Sequence, residues 1–170
     1  LFHSSSGGMT ENSQDVWKNK YPYLSSVKDF DKNNPKFRWQ KNFSNDELIT
    51  LFPKIGGLKN IEILDITSTG RVKKVKLIGH HGSDQMSGVD LRKRLSLNSN
   101  FVRFKFFGDE LNKKFPMKKG LIVLGQGFGH GVGMSQWGAK YLASRGQKAE
   151  RILKYFYRGV HIQPFKEDYL

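Results

Sequence analysis

Cysteine is absent from this 170-residue chain, so no disulfide braces it and no thiolate can ligate a metal. That absence leaves the compartment open. Long apolar runs are missing too. The longest, Leu121–Leu124, falls far short of the roughly 20 residues that a membrane-spanning helix requires. No signal-peptide pattern opens the chain, which starts Leu1-Phe2-His3-Ser4-Ser5-Ser6-Gly7-Gly8 and reads as beginning inside a larger domain. Acidic residues are scarce beside basic ones: Asp+Glu 15 against Lys+Arg 29 gives a net charge of +14. Such an excess favours polyanions, whether nucleic acid, an anionic membrane or the teichoic acids and carboxylates of a cell wall, and charge alone does not choose. RNA-recognition, KH and zinc-finger signatures are all lacking, so nucleic acid is not the expected partner.

With 37% hydrophobic and 13% aromatic residues, one domain with a proper core is expected over 1–170. Residues 1–35 are rich in Ser, Gly, Asn, Asp and Lys and predict an ordered, loop-rich layer. Phe37 to Phe43 alternates apolar and polar side chains as a half-buried strand does. Ser44-Asn45-Asp46-Glu47 is a capping box that opens a short helix, ended by Pro53. The β-branched runs 61–67 and 71–79, joined by Ser68-Thr69-Gly70, predict a hairpin with Arg71, Lys73, Lys74 and Lys76 on a solvated face. Ser87 to Asp90 opens another helix, 101–107 alternates as a strand, and Leu121–Leu124 suggests a strand buried on both sides. Two helical patterns close the chain. The first places Met134, Trp137, Tyr141 and Leu142 on one buried face before Gly146, and the second places Ala149, Ile152, Leu153 and Phe156 on another before Gly159. The fold class is α+β: a mixed, largely antiparallel sheet with short helices and two C-terminal helices.

The chemistry concentrates at 125–139. Every second residue from Gly125 to Gly133 is glycine, around Gln126, Phe128, His130 and Val132. Five alternating glycines lose much backbone entropy on folding, and they make sense where the backbone needs positive φ or must approach something closely. The run ends at a helix start, whose free N–H groups suit an oxygen-rich ligand. It is not a nucleotide loop. The dinucleotide fingerprint fails in every register, its third glycine falling on His130, Val132, Met134 or Gln136. A phosphate loop from Gly133 reaches Gly138 but meets Ala139 where lysine is needed. His130, the one titratable residue between Gly125 and Gly133, either works on a ligand or ties the loop to the backbone.

Gly127 to Ala139 resembles the signature of the stage II sporulation protein D and amidase-enhancer family. Phe2 to Glu11 resembles that family's His-Ser-Gly-Gly motif, continued by Asp15-Val16-Trp17 and Tyr21-Pro22-Tyr23-Leu24. Ser87-Gly88, Leu91-Arg92 and Ile152 to Tyr157 fit as well. The resemblance spans nearly the whole chain, as the C-terminal part of the family's domain. It implies binding and processing of peptidoglycan glycan strands in the cell envelope, outside the cytoplasmic membrane. The activity implied is lytic transglycosylase, or alternatively a non-catalytic wall-binding or amidase-enhancing module partnered by a cell-wall amidase. The family's catalytic glutamate precedes the His-Ser-Gly-Gly motif, so the catalytic acid is expected upstream of Leu1, and this chain alone is expected to be inactive. Some members carry cysteine near that motif, where zinc has been considered. Here Ser4, Ser5 and Ser6 occupy the region, so neither metal nor other cofactor is expected.

The resemblance and the loop chemistry together give His3, Ser4, Glu11, His130, Ser135 and Gln136 as substrate-binding candidates, with His3, His130 and Gln136 converging on one cleft. Glu11 is expected as a loop carboxylate bonded to nearby Ser or Asn groups. Trp17, Tyr21 and Tyr23 are candidate sugar platforms, because Trp and Tyr offer an apolar face with a polar edge. Trp137 is expected in the core.

Overall fold

The computed structural model describes residues 1–17, 19–108 and 119–163. In chain order its elements are β1 (Phe2–His3), α1 (Ser13–Val16), β2 (Arg38–Ser44), α2 (Asn45–Leu51), β3 (Asn60–Ile66), β4 (Val72–Ile78), β5 (Ser83–Ser87), α3 (Gly88–Arg94), β6 (Val102–Phe107), β7 (Gly120–Gln126), β8 (Met134–Ser135), α4 (Gln136–Ser144) and α5 (Ala149–Phe156). The fold is α+β, with two three-stranded antiparallel sheets, β2-β7-β6 and β3-β4-β5, and a short parallel pair, β1-β8.

Local chemistry accounts for most boundaries. The Ser44 side chain accepts the Glu47 N–H, and the Glu47 carboxylate accepts the Ser44 N–H at 2.8 Å, closing the capping box of α2. Ser87 caps α3 by accepting the Asp90 N–H at 3.0 Å. The β3–β4 hairpin turns through Thr67–Arg71, and β3 carries an irregularity between Ile63 and Ile66. The strand Ser83–Ser87 had no expectation from the sequence, because its short polar run carries no alternation of its own.

One apolar cluster joins the two sheets. Phe43, Val102, Leu121 and Val123 from β2-β7-β6 meet Ile61, Val75 and Leu77 from β3-β4-β5, with Leu48 of α2 and Leu91 of α3. Removing each such side chain from water contributes about 1.5–3 kcal/mol. A second cluster of Val27, Ile152 and Phe156, with Met134 and Leu142 against it, docks α4 and α5 onto the first segment. Two expectations change here. Leu121–Leu124 is not buried on both sides: Leu121 and Val123 face the core while Leu124 is 44% exposed, because β7 is the centre of a sheet covered on one face only. Trp137 joins neither cluster. It is half-buried, with the Lys140 ammonium 4.7 Å from its ring centroid.

Candidate functional site

The parallel pairing of β1 with β8 sets His3 beside Ser135 and brings the two motif segments together. The glycine run then threads between them. Gly127, Gly129, Gly131 and Gly133 all have positive φ, so the segment coils where side-chain-bearing residues would resist. At Gly131 there is also no room. A Cβ there would lie 2.8 Å from the Arg71 guanidinium.

Val132 is held on both sides of its own backbone. Its N–H donates to Nδ1 of His130 at 3.0 Å, and its C=O receives a hydrogen bond from Nδ1 of His3 at 3.2 Å. Those bonds fix the tautomers: His3 carries its proton on Nδ1, leaving an Nε2 lone pair, while neutral His130 carries its proton on Nε2. The His3 Nε2 atom is buried and has no hydrogen-bond partner among the described residues. The two imidazoles lie 5.5 Å apart between centroids, and the Trp17 indole lies 5.6 Å from His130 on a ring that is 37% exposed. Burial, the neighbouring His130 and nearby Arg71 pull the pKa of His3 down to about 3, against the opposing bond to Val132. His130, half-buried, is lowered by burial and by Arg92, with the Phe2 backbone acting the other way. Both rings are therefore neutral at physiological pH.

Behind this row lies a buried polar knot. Arg71 Nη1 donates to Glu11 Oε2 at 3.2 Å, and Nη2 donates to the carbonyls of Ser6 at 2.6 Å and Met9 at 2.8 Å. Glu11 Oε2 also accepts the hydroxyls of Thr67 and Thr69, each at 2.6 Å, and Oε1 accepts the Asn12 N–H at 2.9 Å. The Glu11 N–H donates to Gly131 O at 2.8 Å, so the same residue fixes the glycine run. Next to it, Ser5 and Gly7 donate to the Asp31 carboxylate at 2.5 and 2.8 Å, and Ser6 donates to Asp29 at 2.5 Å. Burial first, and then the charge of Asp31, push the Asp29 carboxyl up from its ordinary range.

Two expectations are revised in this knot. Arg71 is not on a solvated face but 1% exposed, because it precedes β4 in the turn, where strand alternation does not apply. Glu11 does take one bond from a nearby Asn group, the Asn12 N–H, but its other partners are Thr67, Thr69 and Arg71 of the distant hairpin rather than neighbouring loop groups. Asp29 and Asp31 were missed as well. They sit in a loop with no periodicity, and their partners Ser5, Ser6 and Gly7 are more than twenty residues away in sequence.

The remaining candidates are spread more widely. Ser4 is half-buried, and its carbonyl accepts the Trp137 N–H at 3.2 Å. Ser135 is fully buried and caps α4 by accepting the Gly138 N–H at 3.1 Å. Gln136 follows it with an exposed side chain, and among the described residues no hydrogen bond links that side chain to either imidazole. Tyr21 and Tyr23 form a separate exposed pair with centroids 6.1 Å apart. Trp17 instead lines a groove of about 650 Å³ running over β4 and β5, with Asp15, Lys74, Gln85 and Met86. Asp15 is held there by the Ser68 hydroxyl at 2.7 Å, which itself accepts from Asn12 at 2.8 Å. Among the described residues no group of three or more His, Asp or Glu could hold a metal ion.

Across 163 residues the chain is 35% identical to stage II sporulation protein D of Bacillus subtilis (strain 168), covering 95% of this chain and 44% of that protein. The counterpart from Bacillus amyloliquefaciens is 33% identical over 95% of this chain and 44% of its own length. The chain belongs to the stage II sporulation protein D and amidase-enhancer family. Its residues 13–133 match the family model described as Domain of unknown function (DUF8618). The amidase enhancer of Bacillus subtilis is 24% identical over 96% of this chain and 29% of that protein. The chain thus spans less than half the length of these relatives. Between the two segments, the rings of His3 and Trp17 pack against His130, and the Glu11 backbone N–H bonds to Gly131 O.

Proposed function

We propose that this chain binds peptidoglycan glycan strands in the cell envelope, as one part of a longer wall-processing protein. The observation that carries the reading is Trp17, which at once walls the 650 Å³ groove and stands 5.6 Å from His130. An exposed indole offers a flat apolar face to the C–H face of a sugar ring. Beside it, the Gln85 amide and the Lys74 ammonium supply donors for hydroxyl and carboxylate oxygens. The names of the relatives, stage II sporulation protein D and amidase enhancer, support a role at the wall and a cell-wall amidase as a partner.

Lytic cleavage of a glycan needs a carboxyl group at the scissile bond to give and take a proton. Glu11 does not suit that role, since it is fully buried and engaged by Arg71, Thr67 and Thr69. On this reading the chain holds substrate, and Glu11 is a strut of the fold rather than the general acid of a lytic transglycosylase reaction. Calorimetry with glycan fragments stripped of stem peptides tests this. Binding that weakens at least about tenfold in Trp17→Ala, with the melting temperature unchanged, is expected, since a platform residue of this kind contributes over 1 kcal/mol. Equal binding by Trp17→Ala, or release of anhydromuramoyl products by this chain alone, would overturn the proposal.

A further inference from the structure

We propose that the outward face of the β2-β7-β6 sheet is a second binding site, for a flexible polyanion of phosphodiester-linked polyol units. Directly opposed residues in an antiparallel sheet share a face. The pairings Gln40 with Leu124, Leu124 with Arg103, Asn42 with Ile122 and Ile122 with Lys105 therefore place all six side chains together, with Arg38 and Gln126 extending the row. This is the face that the core leaves uncovered: Arg38, Gln40, Asn42, Arg103, Lys105 and Leu124 are all exposed. At its end, away from the β6–β7 connection, the face opens into a groove of about 770 Å³ lined by Arg38, Arg103, Phe101, Gln126 and Thr69, with no acidic residue in its wall.

Three features identify the occupant. Arg38, Arg103 and Lys105 make no ion pair among the described residues, so their charge is available to a ligand. Guanidinium groups bind phosphate through two parallel N–H bonds, and Arg103 and Lys105 project two residues apart, about 7 Å along the strand, which an extended phosphodiester chain can follow. Between the cations runs an apolar strip, Leu124 and Ile122, flanked by the Gln40 and Asn42 amides, which are bonded to each other at 2.8 Å. That arrangement suits a chain with aliphatic C–H groups and hydroxyls. Among the described residues the outward positions of the three strands carry no tryptophan or tyrosine, and Trp39, which borders the groove, is held against the main core with its indole N–H bonded to Gly127 O at 2.9 Å, so the row presents no line of platforms on which successive bases could stack. The site is separate from the Trp17 groove and does not depend on glycan binding there.

Poly(glycerol phosphate) is the probe, titrated into the intact chain at 50 and 200 mM salt. Binding is expected to weaken about tenfold or more over that range, as release of counterions from two or three phosphate contacts requires. Arg38→Gln with Arg103→Gln should weaken it a further tenfold or more, while Lys148→Gln with Arg151→Gln, removing equal charge from the N-cap and first turn of α5, should change it less than about twofold. Trp17→Ala should leave it unchanged, which separates this site from the glycan groove. If the double arginine variant does not fold, Lys105→Glu on the same face gives the same test, with the same tenfold loss expected. Equal losses from the two double variants would reduce the effect to net charge and overturn the site. Oligothymidylate or polygalacturonate binding as tightly as poly(glycerol phosphate) would overturn the assignment of the ligand.

Discussion

The Arg71 guanidinium lies 3.2 Å from the Glu11 carboxylate, with the two side chains 1% and 0% exposed. This pair fastens the β3–β4 hairpin turn to the first motif, and through the Glu11 N–H to the glycine run. Such a pair draws its strength from complete satisfaction. Arg71 reaches two carbonyls and a hydroxyl besides the carboxylate, and Glu11 receives two hydroxyls and an N–H besides the guanidinium. Removing one partner strands the other. Glu11→Ala should destabilise the fold by about 3–5 kcal/mol in urea unfolding. Arg71→Lys should fail to rescue it, since an ammonium cannot span the fork of acceptors that the guanidinium reaches. A Glu11→Ala variant as stable as the parent would show that the pair contributes little.

Acid should loosen the same region through His3. Folding lowers its pKa from 6.5 to about 3, so below 6.5 the unfolded chain takes up a proton that the folded chain refuses. Stability present above pH 6.5 is therefore lost as the pH falls towards 3. At pH 5 the loss from His3 alone comes to about 2 kcal/mol. His130, also lowered, acts in the same direction. Asp29 acts oppositely: its raised pKa gives stability that is present in acid and lost as pH rises through the folded value. Comparing parent with His3→Gln isolates the histidine. Between pH 7.5 and 5 the variant should lose about 2 kcal/mol less than the parent, whatever its stability at pH 7.5.

The glycine run should tolerate substitution poorly where it is enclosed and better where a glycine stands in the open. Gly131 and Gly146 have similar backbone angles, φ 86° and 79°. A Cβ at Gly131 meets the Arg71 guanidinium at 2.8 Å, whereas one at Gly146 meets nothing within 4 Å. Gly146→Ala should cost about 1 kcal/mol, the penalty of the left-handed conformation alone. Gly131→Ala adds displacement of a buried, fully bonded guanidinium and should cost at least twice as much, read from thermal unfolding of the two variants.

The helix that joins the two halves of the main core should depend on its cap. Ser44→Ala removes the acceptor for the Glu47 N–H and should cost about 1 kcal/mol. Glu47→Ala, which removes the returning bond to the Ser44 N–H, should cost less because that carboxylate is exposed. Equal stability of Ser44→Ala and parent would count against the capping box.

Much of this protein was determined by its sequence alone, wherever the signal was local. Alternation drew β2 and β6, a capping box opened α2 and the Ser87 cap opened α3, the Ser68-Thr69-Gly70 turn joined β3 to β4, and Gly146 and Gly159 followed the last two helices. These devices act over a few residues, so a few residues suffice to read them. The glycine run likewise announced a backbone under unusual constraint. Tertiary structure alone decided what that constraint serves. Val132 is gripped by His130, two residues before it, and by His3, 129 residues before it, and only the β1–β8 pairing brings His3 to it. Arg71 looked like one more cation in a lysine-rich strand. Its fate turned on Glu11, 60 residues earlier, and on a turn that directs it inward, where a buried charge is stable only with its counter-charge and every hydrogen bond in place. The face of β7 that lies open was decided in the same way, since a continuous apolar run does not record which of its two sides a second sheet will cover.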